Sequence, residues 1–473
     1  MRKMWRSFGF GLFVALVLTA AGCAIQPPGN SNSVATVSPA PASPSPSPSP
    51  QPETKTVAVT LPVLDALFAD EAFKGELKSK LQLTDSQINS LRTIASDEVA
   101  KLRHENAEQE NGSAVEARDR AAQAVRAVVG DAKSEELFAL VREHWTRGSE
   151  ELEAVKGARP EATPKLPNAV PKDTRIVVNI PSYRMDVFAN GSLVKSYKIG
   201  IGYPEFPLPQ GERKAQVIIF NPTWTPPDSP WVSKMQDITP GERVEAGSKL
   251  NPLGPIKIPI GMPSLIHGGK SPAKLGGFAS HGCVGLTNAQ VKDFARVLAH
   301  VAGTEISEQT IQSYLRDNTK TKVVKLGQIV PVELRYETIV VEDGKLHIYR
   351  DVYDQDSNTD EKLHAVLEAH DTRLEDLSAD EQTLVMNALN AMSAHPKKLS
   401  VAIPNNNTSN SNSNTSATVQ KKAKASTEKK LGRNQKEVVI EISSLTGKGY
   451  PAPVDFDTGS GKPSNAVAVK TNR

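Results

Sequence analysis

The sequence predicts a multidomain chain: a mainly β, sandwich- or barrel-like domain preceded by a small α-helical domain, with a disordered linker and a C-terminal tail. Three observations carry this. Short β-like runs begin at Arg175 and recur at regular spacing around the turn pairs Asn190-Gly191 and Asp343-Gly344. Ahead of them, apolar residues recur at helical spacing from Leu64 to Val141. Of the 473 residues only 38% are hydrophobic and 34 are proline, so much of the length must be linker or tail rather than core.

Read in order, residues 1–23 form a targeting segment. Arg2, Lys3 and Arg6 make a basic start, and Phe8 to Ala21 is an apolar run too short for a membrane span. Ala20-Ala21-Gly22-Cys23 follows. Residues 24–57 are a Pro/Ser-rich tether whose Ser-Pro alternation predicts extended polyproline II. Residues 58–157 are helical: Leu64, Leu67 and Phe68, then Ile88, Leu91, Ile94, Ala95, Val99 and Leu102, then Val125, Val128, Val129, Leu137, Leu140 and Val141. Thr84-Asp85-Ser86-Gln87 has the form of a capping box. Residues 158–172 are a linker.

Residues 173–352 are the β domain. Strands are expected at 175–180, 184–188, 193–201, 211–220, 256–260, 264–267, 323–341 and 345–352, with one clear helix at Ala289 to Ala302. Residues 353–404 are a helical extension with a capping pattern at Ser378 to Glu381. Residues 405–473 open with an Asn/Ser/Thr run and a basic run, and read as a mostly disordered tail. The net charge of +3 over this length gives no support to nucleic-acid binding.

The chain has two cysteines, Cys23 and Cys283. Around the second lie Ile266-His267-Gly268-Gly269 and Gly277-Phe278-Ala279-Ser280-His281-Gly282-Cys283-Val284-Gly285. A thiol attacks carbonyls as its thiolate and needs a nearby base or positive field. His267 and His281 stand close by in sequence, and imidazolium beside the thiol would lower its pKa. Surrounding glycines let the backbone approach a substrate and present amide donors. A core role for the cysteine, or for His267, is the plain alternative. A zinc site from His267, His281 and Cys283 lacks a fourth ligand and the usual spacing, so no metal is expected.

The pattern resembles the L,D-transpeptidase catalytic (YkuD) domain, whose signature is an upstream His-Gly followed by Ser/Thr-His-Gly-Cys. Asn221-Pro222-Thr223-Trp224-Thr225-Pro226-Pro227 and Asn251-Pro252-Leu253-Gly254 resemble further family segments. The resemblance implies that Cys283 is the nucleophile and His267 the general base, oriented through the Gly268 carbonyl. It implies that Ser280 and His281 shape the pocket, with the amides of His281, Gly282 and Cys283 around an oxyanion, and that Trp224 and Trp231 belong to a loop over the cleft. Gly285 departs from the family pattern, which usually carries arginine there.

The implied reaction is attack on a tetrapeptide stem of peptidoglycan, release of its terminal D-alanine, and transfer of the acyl group to an amine, without cofactor. Hydrolysis of the same thioester, or a non-catalytic wall-binding lipoprotein, are the alternatives. The segment before Cys23 resembles a bacterial lipobox with Ala20 in the branched position. It implies a lipidated Cys23, a membrane anchor and an exported, envelope location; an ordinary cleaved signal is the alternative. Leu83-Thr84-Asp85-Ser86-Gln87 resembles the LTxxQ motif of small helical envelope proteins of the Spy/CpxP kind, although capping alone explains it. The chain is expected to act as a monomer.

Overall fold

The computed structural model describes residues 59–104, 113–147, 166–226, 237–239, 241–261, 264–393, 435–459 and 467–469. All of them belong to one compact unit, Thr54–Arg473. Cys23, Trp231, the tether at 24–57 and the low-complexity run at 405–434 lie outside the described residues. Among the described residues no helix is long and apolar enough to cross a membrane.

Five helices come first: α1 (Leu61–Leu67), α2 (Glu71–Ser79), α3 (Asp85–His104), α4 (Ala114–Val129) and α5 (Asp131–Arg147). Thr60, Asp70 and Ser113 cap three of them through side-chain oxygens. At the start of α3 the amide of Gln87 donates to Thr84 Oγ1 at 3.2 Å, and the Thr84 amide donates to Gln87 Oε1 at 3.0 Å. That reciprocal pair is the capping box read in the sequence. The apolar faces meet in one cluster with Phe73, Leu77, Leu91, Leu137 and Val141 at its centre.

The β domain is a curled mixed sheet of eight strands. They are β1 (Arg175–Asn179), β2 (Arg184–Ala189), β3 (Ser192–Lys198), β5 (Gly211–Phe220), β6 (Ile256–Pro259), β7 (Leu265–His267), β9 (Val284–Gly285) and β10 (Lys322–Arg335). Their order across the sheet is β3-β2-β1-β10-β5-β6-β7-β9. A separate pair joins β4 (Ile201–Gly202) to β8 (Phe278–Ser280). Asn190 and Gly191 both take positive φ, the geometry of the tight hairpin turn their sequence predicts. The helix expected at 289–302 is α6 (Asn288–Val301), which buries Val291, Phe294, Ala295 and Leu298 against the sheet. A further helix, α7 (Glu308–Arg316), is strongly amphipathic but too short to have stood out.

Buried hydrogen bonds join the helical domain to the β domain. Thr60 Oγ1 donates to the Glu205 carbonyl at 2.8 Å, and Arg213 on β5 donates to the Trp145 carbonyl. The first ties α1 to the segment that carries Phe206, a residue of the candidate site.

Two expectations need correction. Strands β11 (Ile339–Glu342) and β12 (Lys345–Tyr349) are not part of the eight-stranded sheet. β11 pairs with β12, β12 with β13 (Glu437–Glu441), and β13 with β14 (Val467–Val469). Helices α8 (Asp360–Glu368) and α9 (Ala379–Met392) share a core with that second sheet through Leu363, Leu367, Val385, Leu389 and Met392. The segment read as extension and the end of the β domain thus form one small α/β module. The tail expectation at 405–473 fails at 435–459, which is ordered in two places. Val438 and Ile440 of β13 are buried in the module core. Further on, Asp457 pairs with Ser196 and Lys198, and the Val454 carbonyl accepts from the Ser196 amide at 2.9 Å. The returning chain therefore covers the open edge of β3, which would otherwise present unpaired amides. Both features depend on partners far away in sequence, which local composition does not register.

Candidate active site

The site is built on one row of the sheet. Lys257 on β6 is the Cα partner of His267 on β7, and His267 is the partner of Gly285 on β9. Side chains alternate along a strand, so the neighbours Ile266 and Val284, both fully buried, point to the opposite face. Cys283 lies outside the strand, on the loop that enters β9 one residue before Val284.

The loop that carries Cys283 is held from both sides. The buried hydroxyl of Ser280 accepts from the Cys283 amide at 3.0 Å and donates to the Cys283 carbonyl at 2.5 Å. The Ser264 hydroxyl, also buried, donates to the Gly282 carbonyl at 2.7 Å. Gly282 has φ +93°, a conformation in which an L side chain is strained. Of the three amides expected around an oxyanion, that of Cys283 is therefore already committed to Ser280. This leaves at most those of His281 and Gly282.

His267 is buried, and its Nδ1 lies 2.7 Å from the Gly268 carbonyl. A carbonyl can only accept, so this contact puts the ring proton on Nδ1 and the lone pair on Nε2. Burial pulls the His267 pKa down to about 3, helped by the charges of Lys270 and Lys257 and opposed by the carbonyls of Gly268 and Leu253. The ring is neutral at pH 7, the form a general base requires. The expectation of an imidazolium beside the thiol is thereby corrected: taking a cation into this buried position costs more than its neighbours return. Burial pushes the Cys283 thiol up, against the pull of the Leu265 backbone and of Lys270 and Lys257. Thiol and imidazole thus rest as a neutral pair. Among the described residues no direct hydrogen bond joins them; the loop that carries Cys283 leads into the strand that pairs with that of His267.

His281 is exposed, its ring edge-on to Phe206 with centroids 4.6 Å apart and tilted against Tyr203 at 5.5 Å. Trp224 is half-buried and pairs by backbone with Val244. The carbonyl of its neighbour Thr223 accepts from Lys257 Nζ at 3.2 Å, which ties the Trp224 loop to the row of the site. Among the described residues no group of three or more His, Cys, Asp or Glu side chains is placed to hold a metal ion.

Sequence reasoning passed over Ser264, Lys257, Lys270 and Asn288. Asn288 Oδ1 accepts from the Gly269 amide at 2.7 Å and so fixes the turn after His267. One signal was available for Lys257. It stands between Ile256 and Ile258, both fully buried, in a strand where a charge needs a reason. Lys270 carried none. A Cβ built on Gly285 would lie 2.8 Å from Lys270 Cγ and 3.1 Å from its Cε, so the lysine stem occupies the space a side chain at 285 would take.

Comparison with known proteins bears on the β domain alone. Three solved structures illustrate the similarity. The catalytic domain of an E. faecium L,D-transpeptidase is 18% identical, with a TM-score of 0.23, over 35% of this chain and 100% of its own. An L,D-transpeptidase from Mycobacterium tuberculosis H37Rv is 16% identical, with a TM-score of 0.20, over 34% of this chain and 57% of its own. The Ldtfm–avibactam carbamoyl enzyme is 16% identical, with a TM-score of 0.23, over 35% of this chain and 49% of its own. The chain thus spans about half the length of that last structure. No curated protein sequence matches the chain. Residues 173–324 match the family model of the L,D-transpeptidase catalytic domain, YkuD.

Proposed function

We propose that the chain is a peptidoglycan L,D-transpeptidase with Cys283 as nucleophile. The observation that carries this reading is the parallel pairing of β7, which ends on His267, with β9, which begins one residue after Cys283, with the His267 proton held on Nδ1 by Gly268. In the reaction, Nε2 of His267 takes the thiol proton as sulfur attacks the carbonyl of stem residue three. The carbon–nitrogen bond to the terminal D-alanine breaks, and His267 returns the proton to the leaving amine. An amine of a second stem then attacks the thioester and releases the thiol. The His281 and Gly282 amides are the candidate donors to the oxyanion. Lipidation at Cys23 would hold the enzyme on a membrane facing the wall, and Cys23→Ser should then release it from membrane fractions.

Incubation of the purified chain with a defined tetrapeptide stem, read by mass, tests the reaction. The expected products are free D-alanine and a cross-linked dimer, both lost in Cys283→Ala. A trimmed tripeptide without dimer would replace transfer by hydrolysis. Turnover that survives in Cys283→Ala would overturn the assignment.

A further inference from the structure

The helical domain reaches the candidate site through one loop, residues 203–208. On one side the loop lies against the segment that leads to Cys283. The Tyr203 amide donates to the Ser280 carbonyl at 2.9 Å, and the rings of Tyr203 and Phe206 flank His281. A Cβ built on Gly282 would lie 3.9 and 4.0 Å from the carbonyl oxygens of Phe206 and Pro207, so the loop backbone borders that glycine directly. His281 and Gly282 carry the candidate oxyanion donors. The base of the loop is fixed within the β domain: the Tyr353 hydroxyl accepts from the Leu208 amide at 3.2 Å and donates to the Gly202 carbonyl at 2.9 Å. The tip is held from the helical domain. Thr60, the buried N-cap of α1, donates to the Glu205 carbonyl at 2.8 Å.

The joint that supplies this hold is poorly satisfied. Arg213 on β5 is buried and donates to the Trp145 carbonyl at the end of α5, while its Nε and Nη1 have no partner among the described residues. Its guanidinium keeps its charge at any ordinary pH. Glu205 Oε2 and Trp145 Nε1 are likewise buried without a partner. Groups left in this state oppose burial, and water repays them when the surfaces part.

We infer that the helical domain is a separable clamp on the active site: docked, it holds the loop through Thr60 against His281 and Gly282 and so sets the oxyanion donors; parted, it frees the loop tip and loosens them. Thr60 and Phe206 are then positioning residues. The effect on rate rests on the reading of Cys283 as the nucleophile.

The test uses the full chain and two rates at Cys283, followed by intact mass and peptide mapping. Alkylation by iodoacetamide needs no oxyanion; acylation by a small aryl ester, which puts the acyl group on sulfur and releases the phenol, does. A change in thiol reactivity moves both rates, so their ratio reports the oxyanion donors. Thr60→Ala should lower the acylation-to-alkylation ratio about fivefold or more, and Thr60→Ser, which keeps both the cap and the donor, should preserve it. An unchanged ratio in Thr60→Ala overturns the clamp. Should that variant fail to fold, Phe206→Leu, which leaves the helical domain intact, decides by the same ratio. Separation is read by hydrogen exchange of the 203–208 peptide. Arg213→Met, which keeps the bulk and removes the unpartnered charge, should slow it about threefold or more, and exchange as fast as in the wild type would show that the joint does not open. A wild type that alkylates but is not acylated would fail the proposed reaction, and faster exchange of 203–208 in Thr60→Ala would still keep the clamp. Acyl transfer with a ratio and an exchange rate that no variant moves would do the reverse.

Discussion

Ser280 holds Cys283 at both ends of its residue: one hydroxyl accepts the cysteine amide at 3.0 Å and donates to its carbonyl at 2.5 Å. Cys283 is thus fixed by a side chain three residues earlier rather than by sheet pairing, which begins only at Val284. Ser280→Ala leaves an amide and a carbonyl without that partner, at a cost of about 1–3 kcal/mol. It should lower the rate of Cys283 acylation by a small-molecule acyl donor about tenfold and lower the Tm by a few degrees. Intact-mass kinetics and thermal unfolding check the two effects, and unchanged kinetics would mean that the hydroxyl does not position the thiol.

The pH dependence should reveal the neutral pair. With the thiol pushed up and His267 held neutral down to about pH 3, alkylation of Cys283 by iodoacetamide should rise through the alkaline range. It should show no reactive plateau at pH 5–7, the signature of a thiolate–imidazolium pair. A plateau there, measured by stopped assays with peptide mapping, would show that the ion pair forms.

The same residue sets an acid limit on stability. Unfolded, His267 takes a proton near its ordinary 6.5; folded, it refuses one until about 3. The unfolded state therefore binds more protons across that window, and stability falls as pH drops from about 6.5 towards 3. Above 6.5 the residue contributes no pH dependence. His267→Gln should flatten the decline of Tm over that window, and an identical slope in the variant would assign the acid sensitivity elsewhere.

Gly285 and Lys270 compete for one space. A larger residue at 285 must displace the lysine stem, which is flexible enough to move. Gly285→Arg should therefore fold normally, and its effect on the ratio of cross-linked to trimmed product should depend on Lys270. In a double-mutant cycle with Lys270→Met the coupling should reach on the order of 1 kcal/mol. Additive effects would separate the two positions.

Truncation after residue 404 would remove a working part of the fold. It deletes β13, whose Val438 and Ile440 are buried in the second core, and uncovers the β3 edge paired by Asp457. The shortened chain should be cleaved within 339–392 by a dilute protease that leaves the full chain intact there. Equal resistance of both chains would return the segment to the status of a tail.

Much of this protein was legible one residue at a time. The helical period from Leu64 to Val141, the capping boxes at Thr84 and Ser378, and the turn at Asn190-Gly191 are local signals with local causes, and each appears where its chemistry requires it. The association of His267, Ser280 and Cys283 was legible as a pattern, because the spacing of glycines, serine and histidine around a thiol is itself local. The tertiary structure decided what those residues experience. Only strand register puts Lys257 opposite His267, and only the turn after β7 lays Lys270 over Gly285. The protonation state of the site follows from that neighbourhood, since burial and two converging cations act through space and leave no mark on the sequence around His267. The second sheet was hidden for the same reason: β12 and β13 are separated by almost ninety residues, and hydrogen bonds between strands are made by backbone groups that every residue carries alike.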